Sequence, residues 1–207
     1  MTATVFVTLE GIEGVGKSSA VACVVAWLQA RGQRVLDTRE PGGTVLGERV
    51  RALVLANDGG TMAPVTELLL MFAARAQHLD EVIRPALADG TCVVCDRFTD
   101  ATYAYQGGGR GLPQDLIRAA ENLVHGDLQP GLTILLDAPP ALALGRARAR
   151  SATDRFEREQ LDFFARARAA YLDRAARDPV RFLVIDASAD LNSVHASIRR
   201  GLDQRLA

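Results

Sequence analysis

The chain has 207 residues, 48% of them hydrophobic and 24% charged, with 24 Lys and Arg against 25 Asp and Glu and a formal net charge of −1. That balance suits a globular chain with a sizeable core, and it excludes a global basic field for gripping a nucleic-acid backbone. No stretch reaches ~18 unbroken apolar residues, which excludes a membrane span, and the amino terminus lacks a charged leader region, so a cytoplasmic protein is expected.

Strand-like and helix-like runs alternate, the pattern of a parallel sheet covered by helices. In chain order the spacing predicts a strand at 5–9, a helix at 17–30 ended by Gly32, and a strand at 34–38. A long helix at 65–88 ended by Gly90, a strand at 91–95, a helix at 113–124 and a strand at 133–137 follow. Helices at 141–150 and at 157–177, the latter stopped by Pro179, precede a strand at 181–185 and a last helix at 192–206. The expected fold class is α/β: a five-stranded parallel sheet in a three-layer αβα arrangement, one domain over 1–207. No internal repeat, low-complexity tract or interdomain linker interrupts it.

Between the first strand and the first helix stands Gly11-Ile12-Glu13-Gly14-Val15-Gly16-Lys17-Ser18, a full match to the phosphate-loop pattern GxxxxGK[ST]. Gly11, Gly14 and Gly16 let the backbone turn its amides around an anion, and the helix start adds partial positive charge. Lys17 is the only lysine; the other 23 basic residues are arginine. An ammonium is a point charge on a thin stem, and arginine's planar fork would not fit the same space. The whole loop, 11–18, is therefore read as an ATP site of the P-loop NTPase fold, with Lys17 bridging β- and γ-phosphates and the Ser18 hydroxyl on Mg²⁺. Glu13 would repel phosphate, so either it turns toward a hydrogen-bond donor such as a sugar hydroxyl of a second substrate, or it is a solvated loop acid.

Cys92 and Cys95 form a CxxC, but inside a strand side chains three apart point to opposite faces and cannot share a metal. They and Cys23 read as small buried hydrophobes. His78, His125 and His195 show no ligand spacing and read as packing or surface residues.

Asp96 follows the strand at 91–95, where a P-loop fold places a carboxylate that supports Mg²⁺ from behind its direct ligands. Arg97 comes next, Arg39 also follows a strand, and Arg75 lies in an otherwise apolar helix; a guanidinium fork grips phosphate oxygens in pairs. Two phosphate sites mean phosphoryl transfer between nucleotides. A guanine-nucleotide switch would need an NKxD motif, and none of Asn57, Asn122 or Asn192 is followed by lysine. A nucleic-acid motor would need a basic track, which the near-neutral charge denies it.

Together these segments resemble the thymidylate kinase family of nucleoside monophosphate kinases. The resemblance runs over nearly the whole chain: the loop at 11–18, Thr38-Arg39-Glu40-Pro41-Gly42-Gly43-Thr44, Met71-Phe72-Ala73-Ala74-Arg75, Asp96-Arg97-Phe98, the run from Tyr105 to Gly111, and the run from Arg146 to Glu157. It implies transfer of the γ-phosphate of ATP to dTMP with Mg²⁺, in a homodimer with no nucleic-acid or membrane partner; a kinase for another nucleoside monophosphate is the alternative. Arg97 resembles the arginine that binds the dTMP phosphate, with Arg39 closing over the acceptor, and Arg75 the one that hydrogen-bonds the thymine carbonyl. Phe72 is the candidate to stack on thymine; Met71, four positions before Arg75, shares that side of the helix. Thr102 and Gln106 resemble further acceptor contacts, Tyr105 the ring that crowds the sugar 2′ position, and Glu13 the acid near the 3′-hydroxyl.

The segment at 146–157 resembles the family's lid. Arg146 and Arg150 share a helical face while Arg148 points nearly opposite. The phosphate loop has no arginine, and the family includes a group whose lid supplies the catalytic guanidinium. On that resemblance Lys17, Arg97, Arg150 and Arg155 are the catalytic candidates, with Arg146 on the adenine side. Ser151 departs from the glycine expected there.

Overall fold

A computed structural model describes residues 4–57, 61–149, 155–156 and 159–206. Its first half runs β1 (Phe6–Glu10), α1 (Lys17–Gln29), β2 (Val35–Arg39), α2 (Val45–Leu55) and α3 (Pro64–His78). A π-helical turn (Leu79–Ile83) leads into α4 (Arg84–Ala88), then β3 (Cys92–Asp96), the short α5 (Thr99–Thr102) and a second π-helical segment (Tyr103–Gly109). The chain continues through α6 (Gln114–His125), β4 (Leu132–Asp137), α7 (Pro140–Arg148), α8 (Leu161–Arg177), β5 (Phe182–Asp186) and α9 (Leu191–Leu206). All five strands are parallel, in the order β2-β3-β1-β4-β5, with helices flanking the sheet. Among the described residues no helix is long and apolar enough to cross a membrane.

Each strand lies within one residue of its expected place, because a sheet covered on both faces reads as continuous apolar runs. β1 is buried along its length and β3 and β4 nearly so, while the edge strands β2 and β5 are only partly covered. Cys92 joins the core cluster of Val7 and Val94, whereas Cys95 joins that of Phe6 and Val93, so the two thiols do fall on opposite faces. The register sets Asp96 beside Leu9 on one side and Arg39 on the other, bringing the carboxyl ends of three strands to one edge.

Two departures from the expected elements have plain local causes. The helix expected at 65–88 is interrupted by the π turn, directly before Pro85. Proline has no N–H and its ring crowds the carbonyl four residues back, so a widened turn absorbs it without ending the helix. Second, α2 was not anticipated, although Thr44 caps it by accepting from the Gly47 N–H at 2.9 Å and Val50 and Val54 bury one side.

α8 is fastened to the sheet by charge as well as by Phe164 and Tyr171. Buried Asp100 accepts from Arg174 Nε at 2.5 Å and Arg181 Nη1 at 2.6 Å, and Arg181 also reaches Thr133 Oγ1 at 2.9 Å. Burial pushes the Asp100 carboxyl up, but the two guanidinium groups outweigh it and hold the pKa below its ordinary value. This group therefore stabilises the fold above the ordinary carboxylate range, and the contribution is lost as pH falls through the depressed value. Asp100→Asn leaves Arg174 without its anion and Arg181 with Asp178 alone, and is expected to cost about 3 kcal/mol. Urea denaturation at neutral pH checks this, and an unchanged midpoint would contradict it.

Candidate active site

The loop at 11–18 is built by backbone geometry. Gly11 has φ 134°, and a Cβ there would lie 2.4 Å from the Leu136 carbonyl oxygen; at Gly14, φ 79°, it would lie 1.8 Å from that of Ala143. No side chain caps α1 and no acid stands in its first turn, so its leading N–H groups remain available to an anion. Lys17 Nζ folds back over the loop and donates to the carbonyls of Gly11 at 3.2 Å and Ile12 at 3.0 Å. Burial, then repulsion from Arg97, pulls its pKa down to about 8. Ser18 is exposed on the same turn.

Arg97 stands opposite. It is the one non-glycine residue with positive φ among those described, at 71°, a conformation an arginine holds only where its surroundings dictate it. Those surroundings are four acceptors: Gly11 O at 2.9 Å, Tyr171 Oη at 3.1 Å, Glu13 Oε1 at 2.8 Å and Tyr105 Oη at 3.0 Å. Tyr105 in turn donates to Glu13 Oε2 at 2.6 Å. Of the two readings of Glu13 the structure shows the first: it turns to face donors, Arg97 and Tyr105, and lines the neighbouring cavity.

That cavity lies between α2, α3 and the segment from α5 into the second π turn. It is lined by Met71 and Arg75, by Thr102, Tyr105 and Gln106, and by Arg97 at its inner end. Arg75 is buried, donating to Glu40 Oε2 at 2.6 Å and to Thr102 Oγ1 at 3.1 Å. Burial raises Glu40, but Arg75 and a 3.0 Å hydrogen bond with His78 Nδ1 outweigh it and hold the carboxyl below its usual pKa.

Phe72 does not line the cavity. It packs into a separate cluster with Leu68, Tyr103 and Ile117, while Met71 faces the site. The reason is helical phase: Glu67, Met71, Arg75 and His78 form one stripe of α3, and Phe72 lies on the neighbouring stripe behind Leu68. The polar members of that stripe, inside an apolar helix, were the available signal. Arg39 is also absent from the lining; it is half-exposed and held in a fork by both oxygens of Glu48 at 3.0 and 2.9 Å. Arg51 of α2 lines the cavity instead, donating to Pro41 O at 3.0 Å. It went unread because α2 did. Phe98 and Phe156, likewise not singled out, add apolar walls.

The lid candidates separate. Arg146 donates to Ala187 O at 2.6 Å and Ser188 O at 3.1 Å, and it lines a second cleft running from Gly14, Val15 and Gly16 to Asp190 and His195. Arg150 and Glu157 lie outside the described residues. Arg155 is tied to α2 and α3, bonded to Val54 O at 2.7 Å and Glu67 Oε2 at 2.5 Å. Asp96 Oδ1 is buried with no hydrogen-bond partner. Beneath Arg97 lies Glu10, which sequence reasoning passed over as the end of a strand. It accepts from Phe98 N at 2.7 Å and Tyr171 Oη at 2.7 Å, and burial followed by repulsion from Asp100 lifts its pKa to about 8.

Comparison with known proteins places this geometry in context. The family model described as thymidylate kinase matches residues 9–198. A thymidylate kinase of Pseudomonas savastanoi pv. phaseolicola is 56% identical over 201 residues, covering 97% of this chain and 96% of its own. One of Neisseria meningitidis serogroup B is 52% identical over 198 residues, 96% of each chain, and one of Chromohalobacter salexigens 57% over 211, covering 100% and 99%. The solved structure of thymidylate kinase from Ehrlichia chaffeensis superposes with a TM-score of 0.79 at 33% identity, over 97% of this chain and 99% of that one.

The lowered pKa of Lys17 has a calorimetric consequence. A bound triphosphate restores the ammonium, so ATP binding near pH 8 should take up a proton, and the observed enthalpy should vary with the ionisation enthalpy of the buffer. Lys17→Arg carries a group that does not titrate there and should lose this uptake. Equal buffer dependence in the two proteins would rule the idea out.

Proposed function

The chain belongs to the thymidylate kinase family, and from that premise we propose that it transfers the γ-phosphoryl group of Mg²⁺–ATP to dTMP, giving dTDP and ADP on the way to dTTP. The observation that carries this reading is the Gly11 carbonyl, which accepts from Lys17 on the donor side and from Arg97 on the acceptor side. Two phosphate sites share one wall.

Such a transfer is mainly alignment and charge neutralisation. Lys17 and the loop amides hold the β- and γ-phosphates, and Arg97 holds the dTMP phosphate in line with them. No general base is needed, because a nucleotide phosphate attacks as an anion. Met71 covers the base, Arg75, Thr102 and Gln106 contact its edge, and Tyr105 crowds the 2′ position. Arg51, from its place in the cavity wall, supplements Arg97 in the role first expected of Arg39. Arg146 flanks adenine in the second cleft. The lid guanidinium groups of Arg150 and Arg155 stabilise the charge on the transferring group, Arg155 releasing Glu67 to do so.

Asp96 and Ser18 suit Mg²⁺. The orphaned Asp96 Oδ1 is a carboxylate oxygen without a proton donor, and the Ser18 hydroxyl is exposed on the first turn of α1. Among the described residues no cage of three acidic, His or Cys side chains forms, and Mg²⁺ commonly takes one or two protein ligands beside phosphate oxygens and water. When bound, the ion neutralises charge on the β- and γ-phosphates.

The reading extends to a cytoplasmic homodimer of one nucleoside monophosphate kinase domain with a lid at about 146–157. α3 and α6 pack on each other, and Val65, Leu69, Leu116 and Leu123 remain exposed on them, an apolar face fit for a second copy.

ADP release measured across a panel of nucleoside monophosphates should single out dTMP; a protein that binds ATP yet leaves dTMP unphosphorylated would overturn the assignment. Lys17→Met should lower kcat by at least about a hundredfold with the fold intact, and Arg97→Ala should act chiefly on the KM for dTMP. Near-normal turnover in the first, or an unchanged KM in the second, would remove that residue from its role. Sedimentation equilibrium should give twice the chain mass of 22.2 kDa, and Leu69→Arg should halve it; a wild-type monomer refutes the dimer.

A further inference from the structure

Glu67 is fully buried on α3, one turn before Met71, and the phosphoryl-transfer scheme uses it only as the resting partner of Arg155. It accepts four hydrogen bonds. Gln106 donates from Nε2 at 2.7 Å, Arg110 from Nε at 3.3 Å and Nη2 at 3.2 Å, and Arg155 from Nη2 at 2.5 Å. Arg110 also pairs with Glu159. A carboxylate between two guanidinium groups offers only lone pairs, so the group it takes from Gln106 must be the NH₂. The amide cannot turn over: its oxygen would then meet the Glu67 oxygen. Oε1 is left as the polar atom that Gln106 presents to the cavity it lines.

From this we propose that Glu67 is a positioning residue that sets acceptor-base discrimination. By fixing the Gln106 carbonyl toward the cavity it makes that wall an acceptor, which welcomes the N3–H of a keto pyrimidine and opposes the N3 lone pair of an amino pyrimidine. Beside it on the same side stands Arg75, bonded to Thr102 four residues before Gln106, a permanent donor that suits the adjacent 4-keto oxygen and not a 4-amino group. Donor and acceptor together read one tautomeric pattern. A site whose buried polar groups would be left unpaired rejects the wrong ligand far more strongly than a site of shape alone.

The inference rests on dTMP being the acceptor, and its test separates the two. The measured quantity is the ratio of kcat/KM for dTMP to that for dCMP. In Glu67→Gln the new amide can donate to Gln106 Oε1, the Gln106 amide can invert, and the ratio should fall about tenfold or more. Arg110→Gln keeps the Glu67–Gln106 bond and should keep the ratio. Any effect through Arg155 on the chemical step changes kcat for both acceptors and cancels. Should Glu67→Gln fail to fold by circular dichroism, Glu67→Asp, which retains the charge but withdraws it by one methylene, should lower the ratio in the same direction. A ratio equal to wild type in a folded Glu67 variant overturns the proposal, whereas a wild-type protein inactive on dTMP overturns the functional reading beneath it.

Discussion

One backbone carbonyl, that of Gly11, organises the site. Lys17 and Arg97 both donate to it, so these two cations, proposed to hold one phosphate each, cannot drift apart without breaking bonds to the same atom. The position of that carbonyl is inherited from the sheet: Glu10 pairs with Leu135, and the next residue must pass so close to the Leu136 carbonyl that a Cβ would collide. Parallel register therefore becomes catalytic alignment through a glycine. A site that aligns two reactants by rigid backbone needs little movement at the moment of reaction, which is where most of the rate in phosphoryl transfer arises.

Four guanidinium groups in and around the cavity are held by carboxylates. Arg97 has Glu13, Arg75 has Glu40, and Arg155 and Arg110 share Glu67. Buried ion pairs of this kind add little net stability, because desolvation offsets much of the attraction. Their value is geometric: a long flexible side chain arrives already fixed in one rotamer, with donors aimed at the ligand. The solitary lysine follows a different logic. Its ammonium sits among backbone carbonyls and gives up its proton more readily as it is buried, down to about 8, whereas arginine keeps its charge in any surroundings.

Features written in local sequence were legible: the phosphate loop between strand and helix, the strands as apolar runs, and the motif residues Arg97, Tyr105 and Gln106, which fall on one cavity. Features set by helical phase or by distant partners were not. Phe72 and Met71 both face one broad side of α3, and only the packing of Leu68 against Ile117 decides which of them meets the cavity. Arg39 and Arg51 are exchanged for a similar reason, since Glu48 claims the first and the Thr44-capped α2 delivers the second. Arg155 was read from the lid motif, yet its partner Glu67 lies 88 positions away. No sequence window contains such a pair.

Glu10 shows how the floor of the site tolerates so many acids. Glu10, Glu13 and Asp96 act on Lys17, and Asp100 acts on Glu10; four full negative charges on this floor would repel both incoming phosphates. Asp100 is cancelled by Arg174 and Arg181, and Glu13 is turned onto Arg97 and Tyr105. Glu10 has no cation of its own; buried and facing Asp100, it keeps its proton to about pH 8. Neutral, it still accepts from Phe98 N and Tyr171, and so still fixes the loop that follows Arg97. Of the four acids, only Asp96 is then left with a buried oxygen that no donor satisfies, and it stands where a cation would relieve the charge. The electrostatics leave the floor receptive to anions because one acid is protonated, two are paired, and the last is reserved.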